Sequence, residues 1–250
     1  MIISSLSSRC KEIILGSVLG DGSIKIHKGY KNAHFSFRHS TKSSEYFYWK
    51  VGELKEISGD KCVWEQVKSG SYTDEMLRYQ SRALEELTQI YELVHRHHKF
   101  KIRRKWLNQL TPLSLCVWWL DDGSLVANCR QGVICTDNFP YEELLLTVRY
   151  FRKVWDLSPT IGRVAKSGHR SAAEQYRLWF RSREELKKFL RIILPYVPVR
   201  SMLYKVLILY KDPELQQRWI SEMCELSKFK QEEIISCLNE RKKAIAYYRE

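Results

Sequence analysis

Two short stretches of the chain decide the fold: residues 14–22 read ILGSVLGDG, and residues 115–123 read LCVWWLDDG. Each is an apolar run of helical length that ends in Asp-Gly, followed by Ser and an aliphatic residue. The two aspartates, Asp21 and Asp122, lie 101 residues apart. A repeat of this length exceeds the unit of a solenoid, so we expect a duplicated domain whose halves begin with these segments.

The composition of the two stretches predicts closely packed helices. A segment without charge is expected to be buried on most of its faces. Gly16, Ser17 and Gly20 are small and follow helical spacing, which allows two helix axes to approach to about 8–10 Å. Glycine tolerates the left-handed backbone that commonly caps a helix, so Gly22 and Gly123 are predicted to end the two helices in that conformation.

Each predicted helix places a carboxylate at its C-terminal end, where the helix dipole is already negative. Asp21 and Asp122 are unfavourable there unless a positive group compensates them. A divalent cation is the simplest such group, and oxygen ligands suit magnesium better than zinc. We therefore predict that the two aspartates bind divalent cations, with the neighbouring Gly20 and Asp121 as further candidate metal-binding positions.

The sequence resembles the LAGLIDADG homing endonucleases, in the single-chain form with two motifs. The likeness lies in the two Asp-Gly stretches, in LTPLSL at residues 110–115, in LPYVP at 194–198 and in MLYK at 202–205. It implies an α+β fold: a pseudo-twofold duplicated αββαββα arrangement whose two antiparallel sheets form a saddle for DNA. It also implies hydrolysis of both DNA strands across the minor groove, dependent on magnesium (manganese can substitute) and leaving short 3′ overhangs.

Hydrophobic periodicity predicts the same order of elements in each half: helix, two strands, helix, two strands, helix. Helices are expected at residues 11–21, 43–57, 84–97, 112–122, 141–155 and 183–194. Strands are expected near residues 23–27, 33–40, 62–69, 75–82, 124–129, 132–137, 160–166 and 174–181. Residues 33–40 alternate, which predicts a half-buried strand with Phe35, Phe37 and His39 on one face and His34, Ser36 and Arg38 on the other. The predicted domains are an N-terminal half (1–98), a basic linker (99–110), a C-terminal half (111–212) and a helical C-terminal extension (213–250).

The net charge of +13 indicates a polyanionic partner, with nucleic acid first and an anionic membrane second. The extension is neutral, so the excess lies in residues 1–212 and the extension is expected to serve packing or protein contact. Arg and Gln can make paired contacts to guanine and adenine in the major groove. The predicted DNA-binding residues are His34, Ser36, Arg38, Lys68, Arg78, Gln80, Arg82, Lys101, Arg103, Arg104, Gln175, Arg177 and Arg181.

A cationic side chain near each aspartate would neutralise the phosphate and orient the attacking water. The resemblance assigns this role to Lys205 in the second half. In the first half it assigns the role to Lys99, with Lys101 as the alternative. The predicted catalytic residues are therefore Asp21, Asp122, Lys99 and Lys205.

The cysteines and the length of the apolar runs indicate where the protein is located. Seven cysteines without a CxxC pair match neither a zinc site nor a disulfide framework, and no apolar run reaches the length of a membrane span. We expect an intracellular monomer, in a bacterial cytoplasm or an organelle, that binds a double-stranded DNA target and possesses no membrane contact. Its own intron RNA is a further candidate partner.

Two other functions stay open at this point. A protein of the same fold can act as an RNA-binding intron maturase or as a DNA-binding regulator that does not cut. Such a protein requires the basic surface but not the two carboxylates. An unrelated hydrolase with paired aspartates on a small substrate is the second alternative, and the net positive charge argues against it.

Overall fold

A computed structural model describes residues 6–66, 75–164 and 174–248. Lys68, one of the predicted DNA-binding residues, lies outside them. The chain forms two compact units, Met1–Asp121 and Asp122–Glu250. None of the helices in the described ranges has the length and apolar character that a membrane span requires.

The first unit contains an antiparallel sheet with strand order β1-β2-β4-β3. Its elements in chain order are α1 (Ser8–Leu19), β1 (Ser23–Lys25), β2 (His34–Ser40), α2 (Ser44–Glu53), β3 (Val63–Gln66), β4 (Met76–Gln80), α3 (Glu85–Val94), β5 (His95–Arg96), β6 (Lys99–Phe100), α4 (Arg104–Leu107) and α5 (Pro112–Asp122), whose last residue belongs to the second unit. Short 3-10 turns lie at Thr41–Ser43 and Lys55–Ile57.

The second unit repeats this plan with a sheet of order β7-β8-β10-β9. Its elements are β7 (Gly123–Val126), β8 (Gln131–Ile134), α6 (Tyr141–Trp155), β9 (Thr160–Arg163), β10 (Tyr176–Phe180), α7 (Arg183–Ile193), 3-10 turns at Leu194–Tyr196 and Arg200–Lys205, α8 (Pro213–Leu226), α9 (Gln231–Ala244) and a 3-10 turn at Ala246–Tyr248. The duplicated αββαββα order, the α+β class and the helical extension are thus confirmed.

The strand register shows which residues of the two units correspond. In the first unit Phe37 pairs with Tyr79, and in the second Ile134 pairs with Leu178. Arg78 directly precedes Tyr79, and Arg177 directly precedes Leu178. They therefore occupy equivalent positions on the exposed faces of the two sheets.

The packing of α1 against α5 confirms the prediction of closely apposed helices. A methyl group at Gly16 would clash with the backbone carbonyl of Ser114, and one at Gly20 would lie 2.6 Å from Cβ of Asp121. The hydroxyl of Ser114 donates to the carbonyl oxygen of Glu12 at 2.9 Å. Because α5 packs on α1, all but its last residue joins the first unit rather than the second.

The predicted left-handed glycine caps were wrong. Helix α1 already ends at Leu19, so Asp21 lies in the following turn, and Gly123 begins β7. Among the glycines of the described residues, only Gly29 has a positive φ. Gly22 is small for another reason: a Cβ there would lie 2.8 Å from the ring of Phe35 and from the backbone of Ser17.

The segment predicted as a basic linker is folded. Helix α3 ends at Val94, and strands β5 and β6 form a hairpin whose turn places His97 and His98 at positive φ. Helix α4 follows and buries Trp106 completely. The sequence predicted that this helix would continue to residue 97, because helical and strand spacings of apolar residues cannot be distinguished over so few residues.

Candidate functional site

Asp21 opens onto a concavity on the exposed face of the first unit's sheet. The aspartate side chain is 40% exposed. Four of the predicted DNA-binding residues share the lining with it: Ser36, Arg38, Arg78 and Gln80. Strand β2 alternates as predicted, with Phe35 and Phe37 buried and Arg38 exposed.

Five lining residues were not predicted as site residues: Ser23, Lys25, Phe37, Trp64 and Tyr79. Lys25 is the exposed last residue of β1, and Trp64 on β3 is 42% exposed. The alternation of Ser23, Ile24 and Lys25 could have identified the lysine, because Ile24 is buried and its neighbours must face the other way. With Arg38 and Arg78, Lys25 gives the concavity three cations around one carboxylate.

Asp121 lies at the centre of a buried polar cluster in the first unit. Its side chain has no solvent exposure, and both carboxylate oxygens accept from the ammonium of Lys50, at 3.2 and 3.0 Å. The hydroxyl of Tyr46 donates to Oδ1 of the same carboxylate at 2.9 Å. Burial, and next the negative charge of Asp121, raise the pKa of Tyr46 well above its usual range, so the phenol remains a donor.

His39 lies between the two aspartates of this unit. Its Nδ1 is 3.4 Å from Oδ2 of Asp21, and its Nε2 is 3.9 Å from Oδ1 of Asp121. The imidazole is 8% exposed, and its Nε2 forms no hydrogen bond within the described ranges. The backbone N–H of Asp21 also approaches Oδ2 of Asp121, at 3.4 Å. Asp121 thus contacts Asp21 both directly and through the ring.

Asp21, His39 and Asp121 form a group that can hold a metal ion, since one ligand atom of each lies within 4.8 Å of the others. The three residues differ in how well they can bind a metal ion. Asp21 presents an exposed carboxylate, the ligand that magnesium prefers. Asp121 already neutralises a fully buried lysine, so a divalent cation bound to it would lie close to the ammonium of Lys50 and be repelled. The donor set therefore fits a magnesium ion at Asp21 better than at Asp121.

Asp122 has a different environment in the second unit. Its backbone carbonyl accepts from the N–H of Cys135 at 3.0 Å. Burial raises the pKa of the Cys135 thiol; nearby Arg177 and Lys205 oppose the shift, whereas Asp122 and Asp137 add to it. Asp122 and Lys205 thus both influence the same thiol, and their catalytic pairing stays a prediction.

The equivalent arginines of the two units differ in their partners. Arg177 donates from Nε and Nη2 to the two oxygens of Asp137, both at 2.7 Å, and this pairing raises its pKa further. Arg78 lines the concavity with Asp21, and its Nε has no hydrogen-bond partner among the residues described. Among the residues described, Arg177 is neutralised by a carboxylate and Arg78 forms no ion pair, so the charge of Arg78 is the less neutralised of the two.

The structure places the other predicted residues outside this concavity. Lys99 and Lys101 are exposed on or beside the β5–β6 hairpin and do not line it. The guanidinium of Arg103 donates to the backbone carbonyls of Glu92, Leu93 and His95. The guanidinium of Arg82 donates to the carbonyl of Glu56, and that of Arg104 donates to Oδ1 of Asn108. The His34 ring stacks on the His27 ring, and the Arg181 guanidinium lies over the ring of Trp179. Gln175 lies just before β10 and is half-buried.

Arg103 and His34 have the environments of structural residues. Three backbone carbonyls occupy the Arg103 guanidinium, and His34 is only 6% exposed. Burial lowers the pKa of His34 below its usual range, which favours the neutral ring. The sequence could not distinguish these two from surface contacts, because alternation places His34 on the same strand face as Arg38.

Known proteins resemble this chain in sequence and in fold. The sequence matches the model of the LAGLIDADG DNA endonuclease family over residues 11–189. The solved structure of the homing endonuclease I-WcaI bound to its DNA recognition sequence is similar in fold, with a TM-score of 0.70 and 21% identity, covering 83% of this chain and 89% of that one.

Two curated proteins represent the sequence relatives. Protein RecA of Mycobacterium shimoidei is 31% identical over 127 residues, which cover 50% of this chain and 28% of that protein. Cytochrome b mRNA maturase bI2 of Saccharomyces cerevisiae is 24% identical over 217 residues, covering 82% of this chain and 48% of that protein. The chain spans less than half the length of both.

Proposed function

Because the chain belongs to the LAGLIDADG DNA endonuclease family, we propose that it is a homing endonuclease that cuts both strands of a specific DNA target. One observation carries the proposal beyond the family: exposed Asp21 shares a concavity with Lys25, Arg38 and Arg78. A carboxylate surrounded by cations on a sheet face suits a DNA phosphate that is to be hydrolysed.

Asp21 and Asp122 would each hold a divalent cation, magnesium with manganese able to substitute. Such a cation lowers the pKa of bound water and stabilises developing charge on a phosphate. Two carboxylates are required because a duplex has two strands, and the narrow minor groove, about 6 Å wide, brings their backbones close together. The products would carry short 3′ overhangs.

The chain's own cations would bind and orient the DNA. Arg78 and Lys25 would neutralise the phosphate beside Asp21, and Lys205 would do so beside Asp122. Arg38 and Gln80 face the same concavity and can make paired contacts to guanine and adenine in the major groove. Because Lys99 and Lys101 do not line it, Arg78 and Lys25 replace them in this proposal.

The direct test is incubation of the protein with magnesium and a plasmid that carries the host gene without its intron. We expect a linear product cut at one position, with 3′ overhangs on sequencing. A plasmid that carries the host gene with its intron is the matched control, because the intron divides the target site. Equal cutting of both plasmids, or of neither, contradicts the proposal.

A second function is favoured by the match to the yeast mRNA maturase, which extends over 82% of this chain. The same basic surface can bind the intron RNA and assist its splicing. Splicing of the intron transcript with and without the protein separates the two functions. Asp21→Asn should leave a splicing activity unchanged, because phosphate binding does not require that carboxylate.

Calcium is expected to support DNA binding without efficient cutting. It is larger than magnesium and accepts looser geometry, so it neutralises the aspartates but positions water poorly. Parallel cleavage and gel-shift assays in each cation measure this difference. Rapid cleavage in calcium would contradict a magnesium-type centre.

DNA affinity is expected to fall steeply with salt, because each neutralised phosphate releases counterions. Arg38→Gln and Arg78→Gln should each lower the slope of log affinity against log salt by about 1. Lys55→Gln, at an exposed position between α2 and β3, is the control and should leave the slope unchanged. A flat salt response of the native protein would exclude the concavity as the contact surface.

A further inference from the structure

The second unit contains a pocket of about 220 Å³ in which three cations converge, Arg130, Arg183 and Lys211. Two tyrosines form its walls. The Arg183 guanidinium lies 4.3 Å from the ring centre of Tyr210, and the Lys211 ammonium lies 4.2 Å from that of Tyr247. Contacts of this length between cations and aromatic rings are attractive and hold the charged groups in place.

The lining of this pocket contains more cations than carboxylates. In the part of the chain that the structure describes, none of the three cations has an ion-pair partner. Among the residues described, Asp212 is the only acidic one in the lining, and its carboxylate accepts from the backbone N–H of Leu215 at 2.9 Å, capping α8. The pocket therefore has an excess of positive charge directed at solvent.

Arg130 is presented by a strained turn between β7 and β8. Ala127, Asn128 and Cys129 all have positive φ, at 50°, 56° and 59°. Residues with a Cβ disfavour this conformation, and it persists where surrounding structure holds it, commonly at functional sites. The C-terminal extension supplies such a hold, because Arg241 of α9 donates to Sγ of Cys129 at 3.7 Å.

The pocket lies at the end of the sheet away from Asp122. Strand β7 begins directly after that aspartate and ends at Val126, which pairs with Gln131 across the strained turn. At about 3.3 Å per residue, four strand residues separate the turn from Asp122 by roughly 13 Å. A phosphate bound in the pocket would thus lie about that far from the position that is cleaved.

We propose that this pocket binds a backbone phosphate of duplex DNA beyond the cleavage position, so that the C-terminal extension lengthens the DNA interface. The inference rests on the proposed function. It revises the expectation that the neutral extension serves packing or protein contact. The extension contributes Tyr247, whose ring holds the Lys211 ammonium, and Arg241, which contacts the turn that carries Arg130. Its own net charge is therefore not the relevant quantity.

The test compares two variants of equal charge. The pocket variant combines Arg130→Gln, Arg183→Gln and Lys211→Gln. The control combines Arg152→Gln, Lys153→Gln and Arg218→Gln, three exposed cations of α6 and α8 outside the pocket. Binding to a random-sequence duplex of about 40 base pairs is measured without divalent metal as salt is varied, because phosphate contacts are independent of sequence.

The pocket variant should lower the slope of log affinity against log salt by about 1–2 more than the control. Lys211→Gln alone, at an exposed lysine, should give part of this loss and guards against misfolding of the triple variant. Equal slopes for pocket and control variants would overturn the inference. So would a difference seen only with a single-stranded RNA probe. Cleavage by the native protein tests the proposed function separately, since this binding assay requires no cutting.

Discussion

Replacing Asp21 or Asp122 by asparagine is expected to abolish double-strand cutting while DNA binding is largely retained. Asparagine preserves the size of the side chain but removes the charge that holds a divalent cation. Loss of several kcal/mol of charge stabilisation corresponds to a rate reduction on the order of 10³-fold per centre. Either variant should therefore leave the target uncut or nicked in one strand.

The assay separates supercoiled, nicked and linear forms of a target plasmid over time, and gel shift in calcium reports binding. The matched controls are Asp60→Asn in the first unit and Asp156→Asn in the second, both at exposed positions. They should cut at the native rate. If Asp21→Asn or Asp122→Asn linearises the target as fast as these controls, the assignment of the two carboxylates is wrong.

The second large effect concerns stability. Lys50→Met would leave the buried carboxylate of Asp121 without its partner, and Asp121→Asn would leave the ammonium of Lys50 without one. Removing one member of a buried ion pair costs about 3–5 kcal/mol, which corresponds to a fall in Tm on the order of 10 °C for a chain of this size. The double variant should recover most of the loss, because neither charge then remains buried.

Thermal denaturation of the two single variants, the double variant and Lys55→Met measures this coupling. Lys55 is exposed between α2 and β3, so its replacement should leave Tm unchanged. Losses that simply add in the double variant would show that the two residues do not act as a pair. The double variant also tests the metal site: an unchanged magnesium dependence of cleavage would show that Asp121 is not a ligand.

Much of the fold could be predicted from the sequence because its signals are local. The alternation of residues 33–40 identified β2 and its exposed face, which carries Arg38. The small residues Gly16 and Gly20 predicted the close helix contact that Ser114 and Asp121 complete. These signals depend only on spacing along the chain, and tertiary contacts then reinforced them.

The polar cluster around Asp121 could not be predicted in the same way. Lys50 lies on an amphipathic helix, where a lysine is expected to face water. Its complete burial depends on a carboxylate 71 residues later in the chain, which no local pattern reveals. The same applies to His39, which the alternation of β2 placed on the buried face without indicating that it would lie between two aspartates.

By itself, the sequence determined the duplicated order of elements, the close contact between the two motif helices and the basic character of residues 1–212. Periodicity, small-residue spacing and net charge can all be read along one dimension. Only the tertiary structure decided which aspartate is exposed and which is buried against Lys50, and which cations converge on a pocket. Those outcomes depend on burial and distance between residues far apart in the chain, and such quantities exist only once the chain has folded.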